Sequence, residues 1–524
     1  EIEDTLYYLK YGPIVVATVR PETIFGDVAI AVNPKDKRYK EYIGQTIEVK
    51  TPANTLSLKV VGDDSVEIDF GTGALKITPA HDANDFALAL RHKLPLVEVI
   101  DQFGKLNEKT GKYSGMKIKE ARAAIVADLE EIGLIAKKEE YKHIIPVCYK
   151  CETVIEPRVM DQWFVRMLPL AKLAIKAVKT KKIRFIPERF RDTFLYWMEH
   201  TIDWNISRQI VWGIPIPAWY HEPKCMPKAG HEKEVVKCKE IIISLVKPRC
   251  EFCDAEFIQD TDTFDTWFSS GQWPLVTLGF GGKRQKIRGK SDFETFYPTD
   301  VMETGYDLIF RWVPRMVIFG LYLAKEVPFR TVYLHGLVND PHGKKMSKSK
   351  GNVISPIELT EKYGTDALRM ALVVGNSPGS DLSLSEDKIR GYRNFATKIW
   401  NASRFVLTNK PISNFQFPIT NDDPDLKELD DVKKEITNHI ELFEFHLAAE
   451  KLYHYFWHTF ADKIIEDSKP RLKSDDVKEK LAECVKLEII LVACLKMLHP
   501  FMPFITEEIY QKFMPDRLLM IEKW

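Results

Sequence analysis

The hydrophobic pattern changes its period along this 524-residue chain, and a single architecture cannot satisfy every segment. Over roughly residues 1–140, short β-rich runs ("PIVVATV", "DVAIAV", "TIEVK", "LKVVG", "VEIDF", "ALKIT") alternate with Gly, Pro, Asn and Asp turn signals, then give way to a helical pattern near 117–132. That segment is expected to form a small β-barrel or α+β domain. Residues 141–375 mix aromatic-rich segments, apolar strands such as "TVYLHGLV" and amphipathic helices, with a cysteine-bearing insertion over 220–262; an α/β body is expected. From 376 to 524 the pattern becomes helical, with Val432, Ile436 and Ile440, then Leu452, Phe456, Phe460 and Ile464, recurring every four residues. A further helix is expected over 476–498, stopped by the prolines of "HPFMPF". The fold class is therefore multidomain α/β with a C-terminal helical bundle, in keeping with a length too great for one core.

Lys+Arg and Asp+Glu each number 75, so no global field attracts nucleic acid, and an RNA surface must be a local patch. No uninterrupted apolar run approaches the roughly 18–20 residues of a membrane span, so a cytoplasmic protein without membrane partners is expected. The opening "EIEDTLYYLK" has neither an initiator Met nor the features of a signal peptide, as in a chain that begins mid-protein. Four of the eight cysteines form Cys-x-x-Cys pairs, Cys148/Cys151 and Cys250/Cys253, a spacing that favours metal over disulfide in a reducing compartment.

In "GKKMSKSKGN" (343–352) three lysines and two serines fall between 345 and 350 in a glycine-flanked loop. Lys345 and Lys348 can neutralise phosphate charge, while Ser347, Ser349 and the loop amides can donate hydrogen bonds, which suits a triphosphate. The stretch Lys345, Met346, Ser347, Lys348, Ser349, just after the strand-like "VYLHGLVND", resembles the signature loop of class I aminoacyl-tRNA synthetases. "METGYDLIFRWVPRM" (302–316), "DTWFSSGQWP" (265–274), "DWNISRQIVWGIPIPAWY" (203–220), "VATVRPETIFGD" (16–27), "GTGALKITPAHDANDF" (71–86) and "RNFATKIWNASRF" (393–405) all resemble the valyl-tRNA synthetases. The isoleucyl enzymes share part of this pattern and differ at "ETGYDLIFRW" and "KITPAHDANDF".

The resemblance implies ATP-dependent activation of valine with Mg²⁺, transfer to tRNA(Val), and hydrolysis of mischarged Thr-tRNA(Val) in an editing domain. It also implies a partial Rossmann-like catalytic domain and an anticodon-binding bundle whose base-reading residues the sequence does not name. An apolar pocket rejects an isostere that adds a hydroxyl by only about two orders of magnitude, so a second, hydrolytic site is the physical remedy. By resemblance that site uses Thr18, Arg20, Lys76, Thr78, Asp82 and Asp85, with Asp85 binding the substrate amino group. Three apart, Asp82 and Asp85 can share one side of a helical first turn, and such a pair also reads as an N-cap with a dipole-complementing charge. His81 reads equally as a base or as a packing residue. In the synthetic site Asp307 would accept from the valine ammonium and Trp312 would close the pocket or serve as core. Gly336 would let adenosine approach a strand end, with His335 beside it or simply packed, and Lys348 would bind phosphate.

Zinc is expected on Cys250 and Cys253 with two ligands from Cys225, Cys238, His221 and His231, the two cysteines being preferred; a knuckle without metal is the alternative. Cys148/Cys151 would pair with an upstream segment or share the same ion. The stretch "KLAIKAVKTKKIRFIPERFR" (172–191) suits RNA phosphates about as well as it suits a solvated helix face. No His-x-Gly-His, the second class I signature, occurs in the chain. The reading is therefore a synthetase lacking its N-terminal catalytic segment and C-terminal arm, expected not to activate valine alone. Its rivals are a free-standing deacylase, one half of a split synthetase with a separate N-terminal catalytic segment as partner, and an isoleucyl enzyme.

Overall fold

The structure is a computed structural model that describes residues 2–148, 151–221, 241–250, 252–253, 256–282, 289–346, 351–353, 355–409 and 423–524. The chain divides into two compact units, Glu1–Asp161 and Gln162–Trp524. No helix of the described residues is long and apolar enough to cross a membrane.

In the first unit, β1 (Ile2–Tyr11) pairs antiparallel with β2 (Ile14–Thr18) across a tight turn at Gly12, whose φ of +59° only glycine adopts without strain. A second sheet is built from β3 (Ala29–Val32), β4 (Thr46–Lys50), β5 (Thr55–Gly62) and β6 (Ala74–Ile77), in the order β4-β5-β3-β6. β3 is buried on both faces and reads as a continuous apolar run, whereas β4 alternates exposed and buried residues. Helix α1 (Ala83–His92) follows β6, and α2 (Ile118–Glu131) covers the core through Ala121, Ile125 and Leu129. The last strand, β7 (Ile135–His143), pairs antiparallel with β1.

The run "VEIDF" (66–70) is not a strand. Side chains take its carbonyls: Asn33 Nδ2 donates to Val66 O at 2.8 Å, and an Arg38 guanidinium nitrogen donates to Ile68 O at 2.8 Å. These contacts tie the segment to side chains, and no neighbouring strand pairs with it among the described residues.

The second unit centres on a parallel three-stranded sheet, Thr299–Gly305 beside Phe329–His335 beside Arg184–Ile186, in the register Gly305↔His335 and Tyr333↔Ile186. Helix Met167–Lys179 packs into the same core through Ala171, Ala174 and Val178, together with Val313 and Val317 of helix Trp312–Phe319. The C-terminal part is helical, its main elements being Glu386–Thr408, Pro424–Glu441, Val477–Leu498 and Pro503–Phe513 around Phe395, Phe456, Phe460, Leu487 and Leu491. Asp366 ties this bundle to the preceding helices, since its carboxylate accepts the Phe504 and Ile505 amides at 3.2 and 2.7 Å. The strict four-residue stripe from Leu452 to Ile464 is accommodated by wide, π-helical turns over Tyr455–Ile464. An ideal α-helix would rotate such a stripe by about 40° at each step, and underwinding keeps it on the core.

Candidate functional sites

The first unit holds a cavity of about 310 Å³ whose wall includes Thr18, Arg20, Lys76, Thr78, Asp82 and Asp85, together with His81. Residues far apart in sequence meet there because β2 ends at Thr18, β6 leads into Thr78, and α1 starts just beyond it. The buried turn Pro21–Gly26 closes one side. At its end a side chain on Gly26 would lie 3.0 Å from the Val97 carbonyl oxygen, so the close approach of that segment excludes larger residues.

Asp82 and Asp85 have different duties. Asp82 is the N-cap of α1, its carboxylate accepting the Asn84 and Asp85 amides at 2.8 and 3.1 Å. Asp85 is buried and accepts the Thr78 amide at 2.8 Å. Burial pushes its carboxyl up to about 6, opposed by the nearby Lys76 charge and the Thr78 amide. At neutral pH it is an ionised, desolvated acceptor able to receive an ammonium group.

His81 has no spare lone pair for proton abstraction. Its Nε2 accepts the Val99 amide at 2.9 Å, which leaves the proton on Nδ1. Burial first, then the Arg20 and Lys76 charges, lower its value to about 4. The ring braces the wall against the 97–99 segment.

Lys76 directs its ammonium to three oxygens: Thr23 Oγ1 at 3.1 Å, Asp27 Oδ1 at 2.9 Å and Thr78 Oγ1 at 2.5 Å. Thr78 Oγ1 in turn donates to Asp27 Oδ1 at 2.5 Å. Arg20 is similarly engaged, with the His81 carbonyl at 2.9 Å, Glu22 at 3.4 Å, and Glu156. Both cations thus build the wall, and Asp27, Thr23 and Glu22 are structural members of the site. Sequence reasoning did not single out Asp27, because an acid before an apolar strand reads as a turn residue. Its pairing with Lys76, 49 residues away, has no local signal.

In the second unit the carboxyl ends of the parallel strands bring Gly305 and His335 side by side. His335 Nδ1 lies 2.6 Å from the Gly336 carbonyl oxygen and Nε2 lies 3.2 Å from the Glu303 carboxylate, so both ring nitrogens are engaged. Gly336 is required by the chain itself, since a Cβ there would sit 1.8 Å from Ser380 O. Asp307 lies half-buried in the turn after Gly305, and Trp312, also half-buried, donates from Nε1 to Ser270 O at 2.9 Å.

The base of the lysine-rich loop is pinned by Asp340, another residue the sequence reading did not name. It accepts the His342 and Lys344 amides at 2.9 and 2.8 Å and the Asn352 side-chain amide at 3.0 Å, spanning both ends of the loop. The Asn352 amide, then the Lys344 amide, hold its carboxyl below the usual range. Lys345 is exposed and bridges to Asn339, and Met346 is half-buried. Ser347, Lys348 and Ser349 lie outside the described residues.

His221, Cys250 and Cys253 offer ligand atoms all within 4.8 Å of one another, with His221 Nε2 2.8 Å from Cys253 Sγ. One imidazole and two thiols in a site packed by Phe257, Trp219 and Ile242 suit three corners of a tetrahedral zinc centre. Cys225, Cys238 and His231 lie outside the described residues. Cys148 and Cys151 belong to the first unit, where Cys148 donates its amide to Thr153 O at 2.8 Å and accepts the Glu152 amide at 2.8 Å, a knuckle-like turn.

The second unit thus combines a parallel sheet, the base of a lysine-rich loop and a helical bundle, and the first unit holds a polar cavity. The family model for class I tRNA synthetases (I, L, M and V) matches residues 63–385, and the chain belongs to that family. The anticodon-binding domain of tRNA ligases matches residues 426–524. Among curated relatives, the valine-tRNA ligase of Clostridium tetani is 45% identical over 97% of this chain and 56% of its own length. That of Thermotoga maritima is 44% identical over 100% of this chain and 59% of its own. The chain thus spans somewhat over half the length of these relatives. Methionyl-tRNA synthetase of Mycobacterium tuberculosis, solved with methionyl-adenylate, is a fold neighbour with a TM-score of 0.52 at 20% identity, covering 70% of this chain and 65% of that one.

Proposed function

We propose that this chain carries the editing, KMSKS-bearing and anticodon-binding parts of a valine-tRNA ligase. In this reading ATP and valine form valyl-adenylate, the valyl group passes to tRNA(Val), and threonine attached in error is removed by hydrolysis. The observation that carries it is identity of 44–45% to valine-tRNA ligases along nearly the whole chain.

In the hydrolytic cavity, Asp85 receives the ammonium of the aminoacyl group, and Thr78 offers an oxygen lone pair to a hydroxylated side chain. Arg20 and Lys76 hold the wall in shape, and no side chain needs to act as a covalent nucleophile. Water delivered to the ester carbonyl completes the reaction. In the synthetic site the strand ends at Gly305 and His335 face the nucleotide, Asp307 takes the valine ammonium, and Trp312 bounds the side-chain pocket. Lys345 and Lys348 hold the ATP phosphates, with Mg²⁺ supplying further charge neutralisation when bound. His221, Cys250 and Cys253 would hold zinc in a structural role.

The test is hydrolysis of Thr-tRNA(Val) by the 524-residue chain and by Asp85→Ala, with Val-tRNA(Val) and Val-tRNA(Ile) as controls. Selective threonine release that the variant loses supports the reading. Cleavage of Val-tRNA(Ile) instead would assign the cavity to the isoleucine system.

A further inference from the structure

We propose that Tyr11 is a positioning residue of the hydrolytic cavity, acting through Asp27 to fix which hydrogen-bonding groups the floor offers to the aminoacyl side chain. The proposal rests on reading that cavity as the editing site.

Tyr11 ends β1, is wholly buried, and does not touch the cavity itself. Its hydroxyl donates to Asp27 Oδ2 at 2.6 Å, while Asp27 Oδ1 receives Lys76 Nζ and Thr78 Oγ1. With one carboxylate oxygen held from behind, the other is locked towards the floor. Burial and the Asp27 charge raise the Tyr11 phenol well above its ordinary value, so it stays a donor at any working pH.

The consequence falls on Thr78. A hydroxyl has one proton and two lone pairs. The Thr78 proton is committed to Asp27 and one lone pair to Lys76, which leaves a single acceptor position. Thr23 Oγ1 is polarised likewise, donating to the Arg20 carbonyl at 3.0 Å and accepting from Lys76 at 3.1 Å. A floor that can only accept suits a hydroxyl and leaves a methyl group opposite an unsatisfied oxygen. Without the Tyr11 hydroxyl, only the Lys76 and Thr78 hydrogen bonds orient the Asp27 carboxylate, so Oδ2 can turn towards Lys76, the Thr78 proton can swing into the cavity, and discrimination falls.

The experiment compares kcat/KM for hydrolysis of Thr-tRNA(Val) and Val-tRNA(Val) by the full chain, by Tyr11→Phe and by Asp85→Ala. Tyr11→Phe removes one oxygen and keeps the packed ring. The expected result is a fall of about tenfold in the threonine-to-valine ratio, the scale of one hydrogen bond to a charged group. A merely structural role would lower the active fraction and scale both rates together. An unchanged ratio, including parallel loss of both activities, overturns the assignment of Tyr11. Absence of Asp85-dependent threonine release in the unaltered chain overturns the editing reading instead.

Discussion

Replacing Asp85 by asparagine should stabilise the first unit while abolishing its proposed activity. Asp85 is 6% exposed, and burial raises its carboxyl from 3.8 to about 6. Below about pH 4 the folded and unfolded chains both carry the proton and the shift costs nothing; the cost grows as pH rises and is complete above about 6. A displacement of that size corresponds to about 3 kcal/mol. Asparagine retains an oxygen for the Thr78 amide and carries no charge. Allowing for its buried amide donor leaves about 1–3 kcal/mol of stabilisation near pH 7.5. Residues 1–161 contain no tryptophan, so tryptophan fluorescence would report only on the other unit. Native-state hydrogen exchange at the amides of α1 and β6 is the suitable assay. The reasoning is refuted if Asp85→Asn gives equal or weaker protection near pH 7.5, or if its advantage is undiminished near pH 4.

Three further outcomes follow from the same geometry. Hydrolysis of Thr-tRNA(Val) should fall as pH drops through about 6, as Asp85 takes up a proton, and this limb should be missing from the residual rate of Asp85→Ala. Gly336→Ala, whose Cβ would meet Ser380 O at 1.8 Å, should destabilise the second unit by at least about 1–3 kcal/mol, seen as a lower Tm by tryptophan fluorescence. His221→Ala and Cys253→Ser should each lower the zinc-to-protein ratio measured by elemental analysis, whereas Cys151→Ser should leave one ion in place if the Cys148/Cys151 pair is independent.

Periodicity made some elements legible and concealed others. The helical patterns near 117–132 and 476–498 correspond to Ile118–Glu131 and Val477–Leu498, because a repeating apolar face must be buried. β7, "IAKKEEYKH", has almost no apolar alternation; pairing with β1 defines it. At 66–70 the opposite holds, where a β-like composition is overridden by Asn33 and Arg38. Spacing alone brought Asp82 and Asp85 forward as a pair, and only the family resemblance set Asp85 apart as the amino-group ligand. That division comes from tertiary burial, which leaves one as an exposed cap and the other as a desolvated acceptor. Asp27 and Asp340 were hidden for a related reason, since the partners that make them important are supplied by the fold: Lys76 across the sheet and Asn352 across the loop.

What the cavity of the first unit binds decides the proposed function most directly. Calorimetric titration with non-hydrolysable threonyl and valyl amide analogues of the tRNA-terminal adenosine tests this without any contribution from turnover. Binding of the threonyl analogue at least about tenfold tighter than the valyl one, abolished in Asp85→Ala, is the expected result. Equal affinity for the two analogues, or threonyl binding that survives the loss of Asp85, would contradict it.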